Sequence, residues 1–134
     1  MRIEGWERRL SEYLQSLNDA EFAWGTHDCV LYAADVCNLL CGIDPAENAR
    51  GRYHSKEEAF ELLKQYGLSQ PGILDAHFSR IKPLTAQRGD IVYRRGESGA
   101  AFGVVHNGRA IYLGEIKGLV YETIQRADVA WRIE

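Results

Sequence analysis

The stretch Phe22-Ala23-Trp24-Gly25-Thr26-His27-Asp28-Cys29 sets a single cysteine where an irregular, glycine-containing segment gives way to an apolar run, Val30 to Cys41. That run holds one charged residue, Asp35, so it reads as a helix buried on most of its circumference. Asp28 is a good N-cap or first-turn residue, which places Cys29 at the helix start. The free backbone N–H groups and positive dipole end there favour thiolate over thiol, and the thiolate is the nucleophile of cysteine hydrolases.

Cysteine is also a small hydrophobe that cores readily absorb. Cys37 and Cys41, one helical turn apart, read as core residues. For Cys29 both readings stay open, because the bulk of Trp24 and the backbone freedom of Gly25 suit the wall of a cleft.

Upstream, Trp6, Leu10, Tyr13, Leu14 and Leu17 recur at helical spacing, which predicts an amphipathic helix over Glu4 to Leu17. Downstream, Gly42 and Asp44-Pro45 stop the cysteine helix. Ser55 and Glu58 form a capping box for a helix ending near Gly67, and a shorter helical piece is expected over Ile73 to Arg80. From Gly89 the runs Ile91–Tyr93, Phe102–Val105, Ala110–Leu113, Leu119–Ile124 and Val129–Ile133 are β-branched or aromatic and separated by turns, which reads as a β-meander. Asn107-Gly108 predicts a type I′ hairpin turn. Helices first and an antiparallel sheet after give a single α+β domain over residues 1–134.

The chain has a net charge of −3 with acidic and basic residues interspersed, which gives no electrostatic case for nucleic acid binding. Arg94-Arg95, flanked by Asp90 and Glu97, reads as a solvated strand end. No phosphate-binding glycine loop is present, and the cysteines and histidines lack metal-site spacing, so no cofactor or metal is expected. Three cysteines without paired spacing fit a reducing compartment, and the charged N-terminal residues lack the apolar stretch of a signal peptide. No run is long enough to span a bilayer, so synthesis in the cytoplasm without membrane insertion is expected.

Trp24-Gly25 and Asp28-Cys29 ahead of an apolar helix, followed by Arg88-Gly89-Asp90-Ile91-Val92 opening a sheet, resemble the NlpC-type cell-wall cysteine peptidases of papain-like fold. With Asp44 to Ala46 and Arg50 to Tyr53 added, the ordered set is similar to small proteins encoded among tail genes of bacteriophages and prophages. The resemblance implies N-terminal helices packed on a C-terminal meander, with Cys29 as the nucleophile. In those enzymes a histidine opens the second strand and activates the thiol. Carried over through Gly103-Val104, that slot falls at Ala101 and is empty.

Other histidines are candidates on position. His27 lies two residues from Cys29, His54 and His77 flank or occupy helical segments, and His106 is expected at the exposed end of a hairpin, on the face opposite Ala101. Glu115, in the Gly114–Gly118 loop, is expected near the cysteine end of the sheet. Two functions follow from the resemblance. One is a tail-tip peptidoglycan endopeptidase or amidase, with Cys29 attacking and the helix-start amides, beside Trp24, Asp28 and Glu115, forming the oxyanion cleft. The other is a non-catalytic tail component that binds hub or tip proteins through the former cleft, ringed by Trp24, His27, Arg95, Glu97 and Glu115, with Trp6 and Tyr53 adding contact area. Either role implies final residence in the virion tail.

Overall fold

The computed structural model describes residues 1–96 and 99–134, so Glu97 lies outside the described residues. Helix α1 covers Trp6–Ser16, α2 Cys29–Cys41, α3 Lys56–Gln65 and α4 Gln70–Asp75. Strands follow as β1 (Ser79–Ile81), β2 (Ile91–Arg94), β3 (Ala101–His106), β4 (Arg109–Leu113), β5 (Leu119–Thr123) and β6 (Val129–Arg132). Helices therefore precede an antiparallel sheet, and the domain is α+β.

The caps follow local chemistry. Asp28 accepts from the Leu31 amide and Ser55 from the Glu58 amide, while Gly42 ends α2 in a left-handed conformation. Ser69 caps α4, so this helix begins and ends earlier than the expected Ile73 to Arg80 piece. Its last expected residues are instead extended and pair with β6, Arg80 opposite Trp131. Three residues are too few to show alternation, and the edge position lets Ser79 and Arg80 face water.

The sheet order is β1-β6-β2-β3-β4-β5. A meander runs from β2 to β5, with the β3–β4 turn at Asn107-Gly108, where both residues have positive φ (51° and 76°). The chain then returns across the sheet, so β6 pairs with β2 and not with β5. This corrects the simple meander. The return buries Trp131 and Ile133 completely, beside β2.

The two sheet faces bury different sets. Ile91, Phe102, Val104, Ile111 and Trp131 pack against α1 and α2, where Leu10, Leu14, Tyr32, Val36, Cys37 and Leu40 complete the main core. Val92, Val105, Ala110, Tyr112 and Ala130 form a second cluster on the other face. Arg94 also belongs on that side, its Nε 2.9 Å from Glu122, with both side chains mostly buried. It is therefore not the solvated strand end that its charged neighbours suggested, because its side chain reaches over the sheet face to Glu122 on β5, a carboxylate that the local sequence does not show. Cys37 is fully buried, whereas Cys41, expected in the core, is only partly covered, its thiol directed at the Cys37 carbonyl.

Asp90 holds the N- and C-terminal segments to the sheet. It is fully buried, and its oxygens accept from Arg2, Arg132 and the amides of Gln87 and Ile133. Gly89 before it has φ 91°, and a side chain there would meet Leu40 and Arg2 within 3 Å. The Arg-Gly-Asp stretch is thus a structural lock. Its arginine, Arg88, reaches Ser11 and the Glu7 carbonyl, tying α1 to the sheet. No helix of the described residues is long and apolar enough to cross a membrane.

Candidate functional site

Cys29 occupies the first position of α2, with Asp28 as N-cap. Asp28 is fully buried and saturated: it accepts from the Gly25 amide at 2.8 Å, the Leu31 amide at 3.0 Å and the Tyr53 hydroxyl at 2.6 Å. Gly25 has φ 81°, and a β-carbon there would overlap the Tyr53 carbonyl. Only glycine lets the approach loop and the Tyr53 segment meet so closely. His27 closes this loop by exchanging backbone hydrogen bonds with Ala23.

The neighbouring segment is held in the same manner. Asp44 accepts from the Ala46 amide and from Arg50, whose guanidinium also reaches Asp35 at 2.7 Å on α2. Tyr13 donates to the other oxygen of Asp35. The Asp44 to Ala46 and Arg50 to Tyr53 motifs therefore act together to fix the loop that flanks the cysteine.

Cys29 is 9% exposed and lines a surface cleft of about 590 Å³ together with Trp24, Phe60, Tyr93, Ala101 and Glu115, among others. Lys56 brings positive charge to the same walls, while Arg94, which borders them, has its charge matched by Glu122. Trp24 and Glu115 lie where the sequence placed them. Asp28 lies directly behind the cysteine but is closed off from solvent, so it serves as a cap and anchor and does not face the cleft.

Burial pushes the Cys29 thiol up to about 11, opposed by hydrogen bonding from the Phe102 backbone and raised further by the charge of Asp28. The helix start alone does not overcome this loss of hydration. Its amides are also partly committed, since Asp28 takes Leu31 N–H and the Asp28 carbonyl takes Tyr32 N–H.

Among the described residues, no histidine lines the cleft. His54 is exposed beside Glu58, His77 follows α4 and lines a different cavity, and His106 accepts from Arg88 at the far end of β3. His106 is half-buried and not simply exposed, because Arg88 folds back over it. Ala101 does line the cleft but packs with the second cluster, and the side chain that β3 turns toward α2 is Phe102. Strand alternation therefore corrects the expectation that Ala101 faces the sulfur.

The expected docking aromatics also change. Tyr53 is 3% exposed, its hydroxyl held by Asp28, so it offers no contact area. Trp6 is partly covered by Arg2, 4.3 Å above its ring. Trp24 remains at the cleft, its ring edge-on to Phe22. Arg95 lines an adjoining depression with Tyr93. No group of metal-ligating side chains with ion-binding spacing occurs among the described residues.

A second cavity, missed in the sequence, adjoins the cleft. It holds about 210 Å³ and lies between α3 and the Pro45–Tyr53 segment. The signal that could have found it is the stripe Ala59, Leu62, Leu63, Tyr66, an apolar helical face.

No curated protein gives a significant match to the chain. A family model does match, over residues 1–133, and the chain belongs to that family, the domain of unknown function DUF6950.

Proposed function

We propose that this protein is a non-hydrolytic relative of the NlpC-type cysteine peptidases, of papain-like fold, that serves as an assembly component of a phage or prophage tail tip and holds a segment of a hub or tip protein in the cleft beside Cys29. The observation that carries the non-hydrolytic part is the state of the thiol: buried, raised to about 11 and without an imidazole in the cleft among the described residues. A cysteine hydrolase needs a base both to form the thiolate and to protonate the leaving amine. The tail assignment rests on the ordered motif set, whose residues hydrogen-bond one another beside the cleft.

One observation favours a second reading, the peptidoglycan endopeptidase or amidase. Cys29 stands at a helix start and opens on a cleft, which is the position of a nucleophile. One experiment separates the two. Purified protein is incubated with peptidoglycan fragments and, separately, with tail hub proteins from the same genome. Hub binding that survives Cys29→Ala, with no fragment turnover by the wild type, supports the assembly role. Turnover that vanishes in Cys29→Ala overturns it.

A further inference from the structure

Helix α3 carries an apolar stripe, Ala59, Leu62, Leu63 and Tyr66, yet only Leu62 is buried, at 9% exposed. An amphipathic helix normally closes such a stripe against a core. Here it faces the cavity of about 210 Å³, whose floor is formed by Val30, Ala46, Tyr53 and Ile73. No carboxylate, lysine or arginine lines this cavity. For comparison, an apolar cavity of about 150 Å³ stays dry and takes benzene. The volume here therefore suits one ring somewhat larger than benzene, and the absence of charged walls excludes an ionised group.

The walls specify the ring further. Trp24, Phe60 and Tyr66 supply aromatic faces and edges around the mouth, while Phe60 and Tyr66 remain about half exposed, at 47% and 51%. Aromatic rings gain from offset or edge-on contact beyond the area they bury. Asn48 and His77 offer polar partners to a hydroxyl or indole N–H. The cavity also shares Trp24, Phe60 and Gln70 with the Cys29 cleft, so a chain lying in the cleft passes its mouth.

We propose that this cavity is the specificity pocket for an uncharged aromatic side chain, tyrosine or tryptophan, presented by a peptide segment in the Cys29 cleft. The inference rests on the cleft being a peptide-binding cleft, as proposed above, but not on which tail protein supplies the peptide.

The test uses the full chain, isotopically labelled, and blocked tripeptides with a central Trp, Tyr, Ala or Glu, with free indole alongside. The Trp and Tyr peptides are expected to shift the Ala46, Ala49, Ala59 and Ile73 methyl signals saturably, and to bind about tenfold or more tighter than the Ala and Glu peptides. Ala59→Leu, which fills the cavity from α3, is expected to raise the melting temperature and abolish the aromatic preference. Ala49→Leu fills it from the opposite wall and gives the same readout if Ala59→Leu folds poorly. Equal binding of all four peptides, shifts confined to other regions, or an unchanged preference in a folded filled variant overturns the inference. Free indole binding as tightly as the Trp peptide overturns the peptide part, leaving a small-molecule pocket. Failure of the hub pull-down with retained aromatic preference would remove the tail role and leave this inference standing.

Discussion

Tyr53 donates its hydroxyl to the Asp28 carboxylate at 2.6 Å, in a buried site that joins two motif segments. The same carboxylate caps α2 and takes the Gly25 amide, so one side chain fixes the cysteine helix, the loop before it and the segment beside it. Asp28→Ala removes all three acceptor contacts and leaves buried donors unpaired, which should cost about 3 kcal/mol or more. Tyr53→Phe removes one bond to a carboxylate that keeps its other partners, and about 1.5 kcal/mol is expected. Chemical denaturation measures both. A Tyr53→Phe loss as large as that of Asp28→Ala would show that the hydroxyl, and not the cap, organises the site.

The Cys29 thiol lies above the ordinary value of 9.0, at about 11, chiefly through burial. Folding therefore favours the protonated form. That contribution is whole below pH 9.0 and is lost as pH rises through about 11, where ionisation of the unfolded chain pulls the equilibrium away from the native state. Iodoacetamide alkylation of the Cys29 peptide, followed by mass spectrometry, should be slow at neutral pH, where the thiolate fraction is on the order of one in ten thousand. Its rate should rise towards a midpoint near 11. A midpoint below 9.0, the ordinary thiol value, would reinstate an activated nucleophile.

His106 is held below the ordinary histidine value of 6.5, first by burial and then by the charge of Arg88, whose Nε donates to its Nδ1 over 3.3 Å. A lowered value means that folding favours the neutral ring. The associated stability is present above the ordinary value and declines as pH falls through the native one. NMR titration should place the His106 midpoint below 6.5, and Arg88→Gln should raise it. An unchanged midpoint in Arg88→Gln would leave burial as the sole cause.

Local chemistry made the helical half readable. Asp28, Ser55 and Gly42 announce helix ends whatever surrounds them, and Asn107-Gly108 encodes its own turn. What could not be read depends on distant pairing. Ser79 to Ile81 become a strand only because β6 returns to receive them, and β6 returns beside β2 because Trp131 and Ile133 bury there. At the site, Trp24 could be placed beside Cys29 by its closeness in sequence and Glu115 by the Gly114–Gly118 loop at the cysteine end of the sheet, but side-chain direction was out of reach. The alternation of β3 is fixed by its register with β2, Phe102 opposite Tyr93, and that register turns Phe102 and not Ala101 toward α2. The state of the thiol was likewise decided by packing, since burial outweighs the helix terminus.

On the other face of the sheet, Arg94 and Glu122 lie 2.9 Å apart with side chains 18% and 16% exposed, beside the fully buried Tyr112 ring. Arg94 packs over that ring at 4.8 Å, and the Tyr112 phenol is pushed up to about 12 by burial and then by the Glu122 charge. Nε of Arg94 and Oε1 of Glu122 find no hydrogen bond of good geometry among the described residues, so the pair gains Coulomb attraction without full compensation for lost water. Removing one partner strands the other charge. Arg94→Met alone, or Glu122→Leu alone, should each cost about 2 kcal/mol, less than for a fully buried pair because both groups retain some solvent. The double variant should return to within about 1 kcal/mol of the wild type, because apolar side chains extend the second cluster of Val92, Val105 and Tyr112. A denaturation double-mutant cycle reads the coupling directly. Additive losses would mean that the two side chains act independently, and that the pair is not what closes this end of the sheet.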